Sequence, residues 1–339
     1  LADRPAPDQP DAPGGFGGRL RSAFDRYGQL CVGIDPHSFL LAQWGLPDSA
    51  DGVREFGLRV VDAAAGRVGI VKPQVAFFER YGAAGFGALE TVLAAARAAG
   101  LLVIADAKRG DLGTSVEAYG QAWLTPGSPL EADALTISAY MGLGSIERPM
   151  RLAEETGKGL FVLAATSNPE ALAVQTAILV VGARTGRSVA ASIVEDVGEW
   201  NVAQAGRAKG TGGTGSTGTA STGTASTGTA SAGAVPTGAV PAGAVSTERV
   251  AIGSIGLVLG ATVDFGAFGI DLAVRNPATP ILAPGFGHQG ARFGDLAALY
   301  GPSAPFAVVS ASRSILQAGP DGIAEAIRAQ AGEVLACRA

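Results

Sequence analysis

The residues of this chain best suited to chemistry lie in one short run, Asp106-Ala107-Lys108-Arg109-Gly110-Asp111, directly after the apolar stretch Leu101-Leu102-Val103-Ile104-Ala105. That stretch reads as a buried strand. Side chains alternate across a strand, so Asp106 and Lys108 share one face while Asp111 falls beyond the strand end. Carboxylates and ammonium groups gathered there can shift one another's protonation and act as a charge network. Taken alone, the run has two readings: exposed loop charges or a reactive site.

The elements that must position these groups recur along the chain. Apolar runs end in Gly, Pro or a charged residue at Leu30–Ile34, Val68–Val71, Ala134–Ser138, Leu160–Ala164, Ile255–Leu259, Thr279–Ala283 and Pro305–Val309. With the run above they make eight predicted strands. Between them lie segments of helical period, such as Asp51 to Arg67, where Val53, Phe56, Val60, Val61 and Ala64 fall on one face. A helix after Asp111 is expected to start near Thr114 or Ser115 and to turn Val116, Tyr119 and Trp123 inward; another is expected over Ser188 to Trp200. Continuous rather than alternating apolar strands are those of a parallel sheet covered on both faces. Eight βα units in that pattern predict an α/β fold, the (β/α)8 TIM barrel, with its site at the C-terminal strand ends. The first three strands then bring Asp35, Lys72, Asp106 and Lys108 to one end of the barrel.

Composition narrows the function classes. The net charge is −5 with Lys and Arg scattered, which gives no footprint for nucleic acid or an anionic membrane. Cys31 and Cys337 have no metal-ligand spacing and fit a reducing, cytoplasmic setting; with only His37 and His288, a histidine metal site is not expected. The apolar run Ala171 to Ala183 is interrupted by Gln175 and is too short to span a bilayer. Residues 1–18, rich in Pro, Asp and Gly, are expected to form a disordered leader, with one barrel domain over 19–339. Residues 210–247 carry no charge and include a five-residue repeat, Ser-Thr-Gly-Thr-Ala and its variants, from Ser216 to Val245. That period matches neither helix nor strand, so a disordered insertion between the fifth and sixth strands is expected. Trp123, Trp200 and Tyr119 read as packing residues, Glu79 and Arg80 as an exposed pair.

The last two strands suggest an anion site. Gly285, Gly287 and Gly290 with Gln289, and then Ser312-Arg313 after the eighth strand, match the place where barrels commonly bind phosphate. Small residues admit backbone N–H groups to the oxygens, and the Arg313 fork can hold a dianion. The glycines alone are equally read as turns. His288, within the same loop, is as readily solvent-facing as a ligand contact.

These motifs together resemble the orotidine 5′-phosphate decarboxylase family, in its longer bacterial type 2 subfamily. The resemblance rests on Asp106-Ala107-Lys108-Arg109-Gly110-Asp111-Leu112-Gly113, on Lys72-Pro73-Gln74 and on Pro284-Gly285-Phe286-Gly287-His288-Gln289-Gly290, and it covers about Phe24 to Ala326 outside the insertion. It implies cofactor-free decarboxylation of orotidine 5′-monophosphate to uridine 5′-monophosphate. Lys108 would protonate the pyrimidine carbon, with Asp106 beside the departing carboxylate. Lys72 and Asp35 would hold ribose hydroxyls and the charge network, Ser138 the pyrimidine, and Gln289 and Arg313 the phosphate. Asp111 would enter the neighbouring subunit's site, which implies a homodimer. A lysine held between two aspartates would remain protonated, ready to stabilise a carbanion that has no electron sink. The chain departs from the family pattern at Ser138-Ala139-Tyr140, where Asn-Pro-Tyr is usual, and at Ala165, where an arginine is usual.

Two alternatives stand beside this reading. A neighbouring barrel family shares Asp-x-Lys-x-x-Asp but acts on hexulose phosphates with Mg²⁺; it wants a carboxylate at the end of the second strand, where Lys72 would repel a cation. A non-catalytic binder of phosphorylated nucleotides would have no need of all four central charges.

Overall fold

The computed structural model describes residues 15–210, 250–287 and 289–337. Its strands are β1 (Leu30–Ile34), β2 (Ile70–Pro73), β3 (Leu102–Arg109), β4 (Ala134–Ser138), β5 (Gly159–Ala165), β6 (Ile255–Leu259), β7 (Ile281–Pro284) and β8 (Ala307–Ala311). All neighbours pair in parallel, and β8 pairs with β1, so the sheet closes into a barrel in sequence order. The helices used below are α1 (Gly15–Tyr27), α2 (Ser38–Gln43), α3 (Ala50–Ala64), α4 (Ala76–Glu79), α5 (Gly82–Ala98), α6 (Gly113–Leu124), α7 (Glu147–Glu155), α8 (Ala171–Gln175) and α9 (Val189–Gly210).

Two apolar layers follow from strand alternation. Outward residues such as Val32, Val71, Val103, Leu135 and Val162 pack beneath the ring of helices. Inward residues Cys31, Ile70, Ile104, Ala134, Phe161 and Val308 fill the barrel and meet Phe16, Leu20 and Phe24 of α1. That helix therefore plugs one end of the barrel. Phe16 and Phe161 meet edge to face at 5.9 Å, and a Cβ on Gly159 would lie 2.4 Å from the Phe16 ring. Truncating Phe161 to Ala would empty this contact at a cost of about 3–5 kcal/mol.

Three expectations change here. The expected leader reaches Gly18, but α1 begins at Gly15 and Phe16 is fully buried. The apolar spacing Phe16, Leu20, Phe24 extends the helical face into that segment; residues 1–14 lie outside those described. Tyr119 does not turn inward: it is 38 % exposed, with the Arg109 guanidinium 5.8 Å from its ring centroid. Helix α9 continues ten residues past Trp200. The expected insertion, beyond Gly210 itself, lies outside the described residues. No described helix is long and apolar enough to cross a membrane.

Candidate active site

The inward stripes of four strands are apolar low in the barrel and become polar toward the C-terminal strand ends, while Leu163, Val258 and Leu282 keep the opposite wall apolar. Along β1 the stripe runs Cys31, Gly33, Asp35; along β2, Ile70, Lys72, Gln74; along β3, Ile104, Asp106, Lys108; and along β8, Val308, Ser310, Ser312. The upper members line one cleft of about 290 Å³. Gly33 permits this closure, because a Cβ there would sit 1.9 Å from Ser312 Oγ.

Asp106 is the hub. Lys72 Nζ donates to its Oδ2 at 2.7 Å, Lys108 Nζ to its Oδ1 at 2.6 Å, and Thr136 Oγ1 to Oδ1 at 2.9 Å. Burial by itself would raise the Asp106 carboxyl, but the two ammonium groups outweigh it and hold the group well below the usual carboxylate range. Burial would likewise lower Lys72, yet Asp106 and then Asp35 reverse the sign and hold its ammonium above the ordinary lysine value. Both members of this buried pair therefore stay charged. The lysine that faces two aspartates within the chain is Lys72; Lys108 bonds to Asp106 and, at 3.4 Å, donates to Gln74 Oε1.

Backbone geometry aims Lys108. Its φ is 48°, the one positive value among described non-glycine residues, a conformation that costs about 1–3 kcal/mol. It lies where the β3–β4 register shifts between Ala105 and Arg109. The next residue is clamped from outside: Arg109 pairs with Glu79 at 2.9 Å. Arg80 instead pairs with Asp48 at 2.8 Å, so Glu79 and Arg80 are not partners of each other.

Across the cleft lie Arg313, Gln289 and Gly285. Gly285 and Gly287 have φ of 112° and 74°, which L side chains rarely adopt, and a Cβ on Gly287 would come within 2.8 Å of Ser314 Oγ. Ser167 Oγ donates to Gln289 Oε1 at 3.1 Å, tying the end of β5 to the loop after β7. His37 also lines the cleft, its ring centroid 4.3 Å from that of Phe77. Burial and then the Arg313 charge lower its pKa from the usual imidazole value. Asp35 Oδ1 is buried and has no hydrogen-bond partner among the described residues, leaving an open acceptor at the cleft wall.

Of the residues singled out in the sequence, Asp35, Lys72, Asp106, Lys108, Gln289 and Arg313 come together in this cleft; Ser138 and Asp111 are not among its lining residues. Asp111 Oδ1 accepts from the Leu112 N–H at 2.8 Å, on the chain that leaves β3. Ser138 stands at the strand end, its carbonyl 2.6 Å from where a Gly110 Cβ would lie. His288 lies outside the described residues. His37, Gln74 and Thr136 received no role from the sequence. Gln74 and Thr136 follow from inward alternation once the barrel is closed, whereas no sequence signal marked His37.

A closed parallel barrel with ionisable groups at its C-terminal strand ends defines the class: a (β/α)8-barrel enzyme. The family model for orotidine 5′-phosphate decarboxylase and HUMPS proteins matches residues 28–206. A protein of Salinispora arenicola named orotidine 5′-phosphate decarboxylase is 42 % identical over 96 % of this chain and 97 % of its own length. One so named from Streptomyces coelicolor is also 42 % identical, over 90 % of this chain and 91 % of its own. A crystal structure from Streptomyces avermitilis, given the same enzyme name, superposes with a TM-score of 0.76 at 39 % identity, covering 97 % of this chain and 98 % of that one. The chain belongs to the orotidine 5′-phosphate decarboxylase / HUMPS family.

Proposed function

We propose that this chain is an orotidine 5′-monophosphate decarboxylase that releases CO₂ and uridine 5′-monophosphate without a cofactor, in pyrimidine nucleotide synthesis. The observation that carries the reading is the 2.6 Å Lys108–Asp106 pair, with Lys72 on the same carboxylate, in a cleft that also presents Arg313. Arg313 and Gln289 would hold the phosphate and fix the nucleotide's register. The open Asp35 acceptor and Lys72 would take ribose hydroxyls, placing the ring carboxylate against Asp106.

The carbon–carboxylate bond then breaks heterolytically, and its electron pair stays on the ring carbon as CO₂ leaves. The Lys108 ammonium lies where that charge develops, stabilises it and delivers its proton; the resulting amine is reprotonated from solvent. Phosphate binding, remote from the reacting carbon, supplies energy for orienting the ring. Within the same reading, two chains form a homodimer and Asp111 of each completes the partner's site. This is consistent with its place on the chain leaving β3, outside its own cleft. The two free cysteines suit the cytoplasm.

The family also includes hexulose-phosphate enzymes, and Lys72 argues against that chemistry here, since its ammonium occupies the β2 position where a metal would need a carboxylate. The test is loss of orotidylate absorbance with purified protein and a chelator. Conversion to uridine 5′-monophosphate is expected; no turnover, or turnover only on adding Mg²⁺, overturns the proposal.

A further inference from the structure

Within the decarboxylase reading, we propose that Thr136 is a positioning residue: its hydroxyl holds the bulge in β3 that folds Lys108 back onto Asp106. In the β3–β4 register Ala105 stands opposite Leu135 and Arg109 opposite Ile137, so residues 106–108 face Thr136 alone. The regular ladder is interrupted there, and a side chain takes its place. Thr136 Oγ1 accepts from the Lys108 N–H at 3.0 Å and donates to Asp106 Oδ1 at 2.9 Å. Thr136 is 1 % exposed, which leaves no ready access for water to substitute.

The two bonds have a fixed direction. An amide N–H can only donate, so the hydroxyl receives it on a lone pair and spends its single proton on Asp106. This relay needs Oδ1 as an acceptor, the same oxygen that receives the Lys108 ammonium. The result is local geometry that an ordinary strand would not give. In a regular parallel ladder the residues of two strands pair one to one, whereas here residues 106–108 stand opposite Thr136 alone, with Lys108 Nζ 2.6 Å from Asp106 Oδ1. Lys108 reaches that position with φ at 48°. Gly110 then passes close over β4, where a Cβ would lie 2.6 Å from the Ser138 carbonyl oxygen. Without the hydroxyl, the part-buried Lys108 N–H loses its protein partner and the strand can relax toward regular spacing.

Valine matches threonine in shape but has no hydroxyl; serine keeps it. Thr136→Val is expected to lower kcat by about 10- to 100-fold, the scale for misplacing a reacting group by about an ångström, while KM for orotidine 5′-monophosphate changes less than about threefold because the phosphate anchor lies across the cleft. Thr136→Ser should recover most of the loss, and Thr136→Ala should behave as valine does. Hydrogen exchange of the peptide containing Lys108 should be about tenfold faster in the valine variant than in wild type or serine. The proposal is overturned if the valine variant keeps its kcat within threefold, if serine is as impaired as valine, or if only KM rises. Should wild type itself fail to turn over orotidine 5′-monophosphate, the decarboxylase reading falls; the exchange measurement still decides whether the hydroxyl holds the bulge.

Discussion

Lys72 and Lys108 bind the same carboxylate, yet they should contribute very differently to stability. Lys72 and Asp106 have side chains 8 % and 9 % exposed and meet at 2.7 Å; Lys108 is 46 % exposed. Replacing Lys72 by Met removes one partner of a buried pair, a change that costs about 3–5 kcal/mol in general. Since Lys108 and Thr136 still serve Oδ1, the lower end, about 3 kcal/mol, is expected. At about 2 °C per kcal/mol for a chain of this size, Tm should fall by about 6 °C. Lys108→Met removes a solvent-screened charge, and under about 1 kcal/mol is expected. Both variants should lose turnover.

The pH dependence adds a second check. In wild type the depressed Asp106 pKa contributes stability that is present above the unfolded carboxylate value and is lost only as pH falls through the lower folded value. In Lys72→Met the buried carboxylate loses its main counter-charge, and its folded pKa rises. Protonation in the folded state then becomes favourable, so the stability gap between variant and wild type should narrow from pH 7 to pH 4. Thermal scans across that range, with orotidylate absorbance as the activity readout, measure both effects. Equal Tm losses for the two lysine variants, or a gap that widens at low pH, would refute the assignment of Lys72 as the buried counter-ion.

Lys108→Ala separates enzyme from binder: uridine 5′-monophosphate should still bind by calorimetry while turnover is lost, and unchanged turnover would remove Lys108 as the acid. Arg313→Ala should lower kcat/KM about 10- to 100-fold, the scale of a hydrogen bond to a charged group; an effect under threefold would move the phosphate elsewhere in the cleft. If Asp111 completes the partner's site, mixing inactive Lys108→Ala and Asp111→Ala chains should restore about one quarter of wild-type activity, since half the dimers are hybrids and each hybrid has one intact site. No recovery after subunit exchange would argue that each site is built within one chain. Burial pushes the Cys31 thiol up to about 12, and the side chain is fully buried, so iodoacetamide at pH 8 should modify Cys337 in the native protein and Cys31 only after unfolding.

By itself, the sequence determined the barrel and most of its charged cleft. Eight continuous apolar runs specify strands buried on both faces, and period-two alternation carries Asp35, Lys72, Asp106 and Lys108 inward whatever the loops do. Most strand boundaries lie within a residue or two of the apolar runs, and β3 continues four residues past its run to Arg109, because an apolar run does not reveal where ladder hydrogen bonds stop. The helical face that begins at Phe16 was obscured by its glycine-rich surroundings, and only the barrel end that it plugs gives the burial a reason. Tertiary structure decided what depends on neighbours distant in sequence. Thr136 bridges Asp106 and Lys108 only because β4 pairs with a bulged β3, and Ser138, on the same strand, does not reach the cleft. His37 and Arg313 come to line one cleft only once β8 closes against β1. Lys72, rather than Lys108, faces two aspartates because Asp111 leaves the strand and accepts from the Leu112 N–H. Alternation tells which face a side chain takes; which partner it meets is set by register and closure, and those belong to the whole barrel.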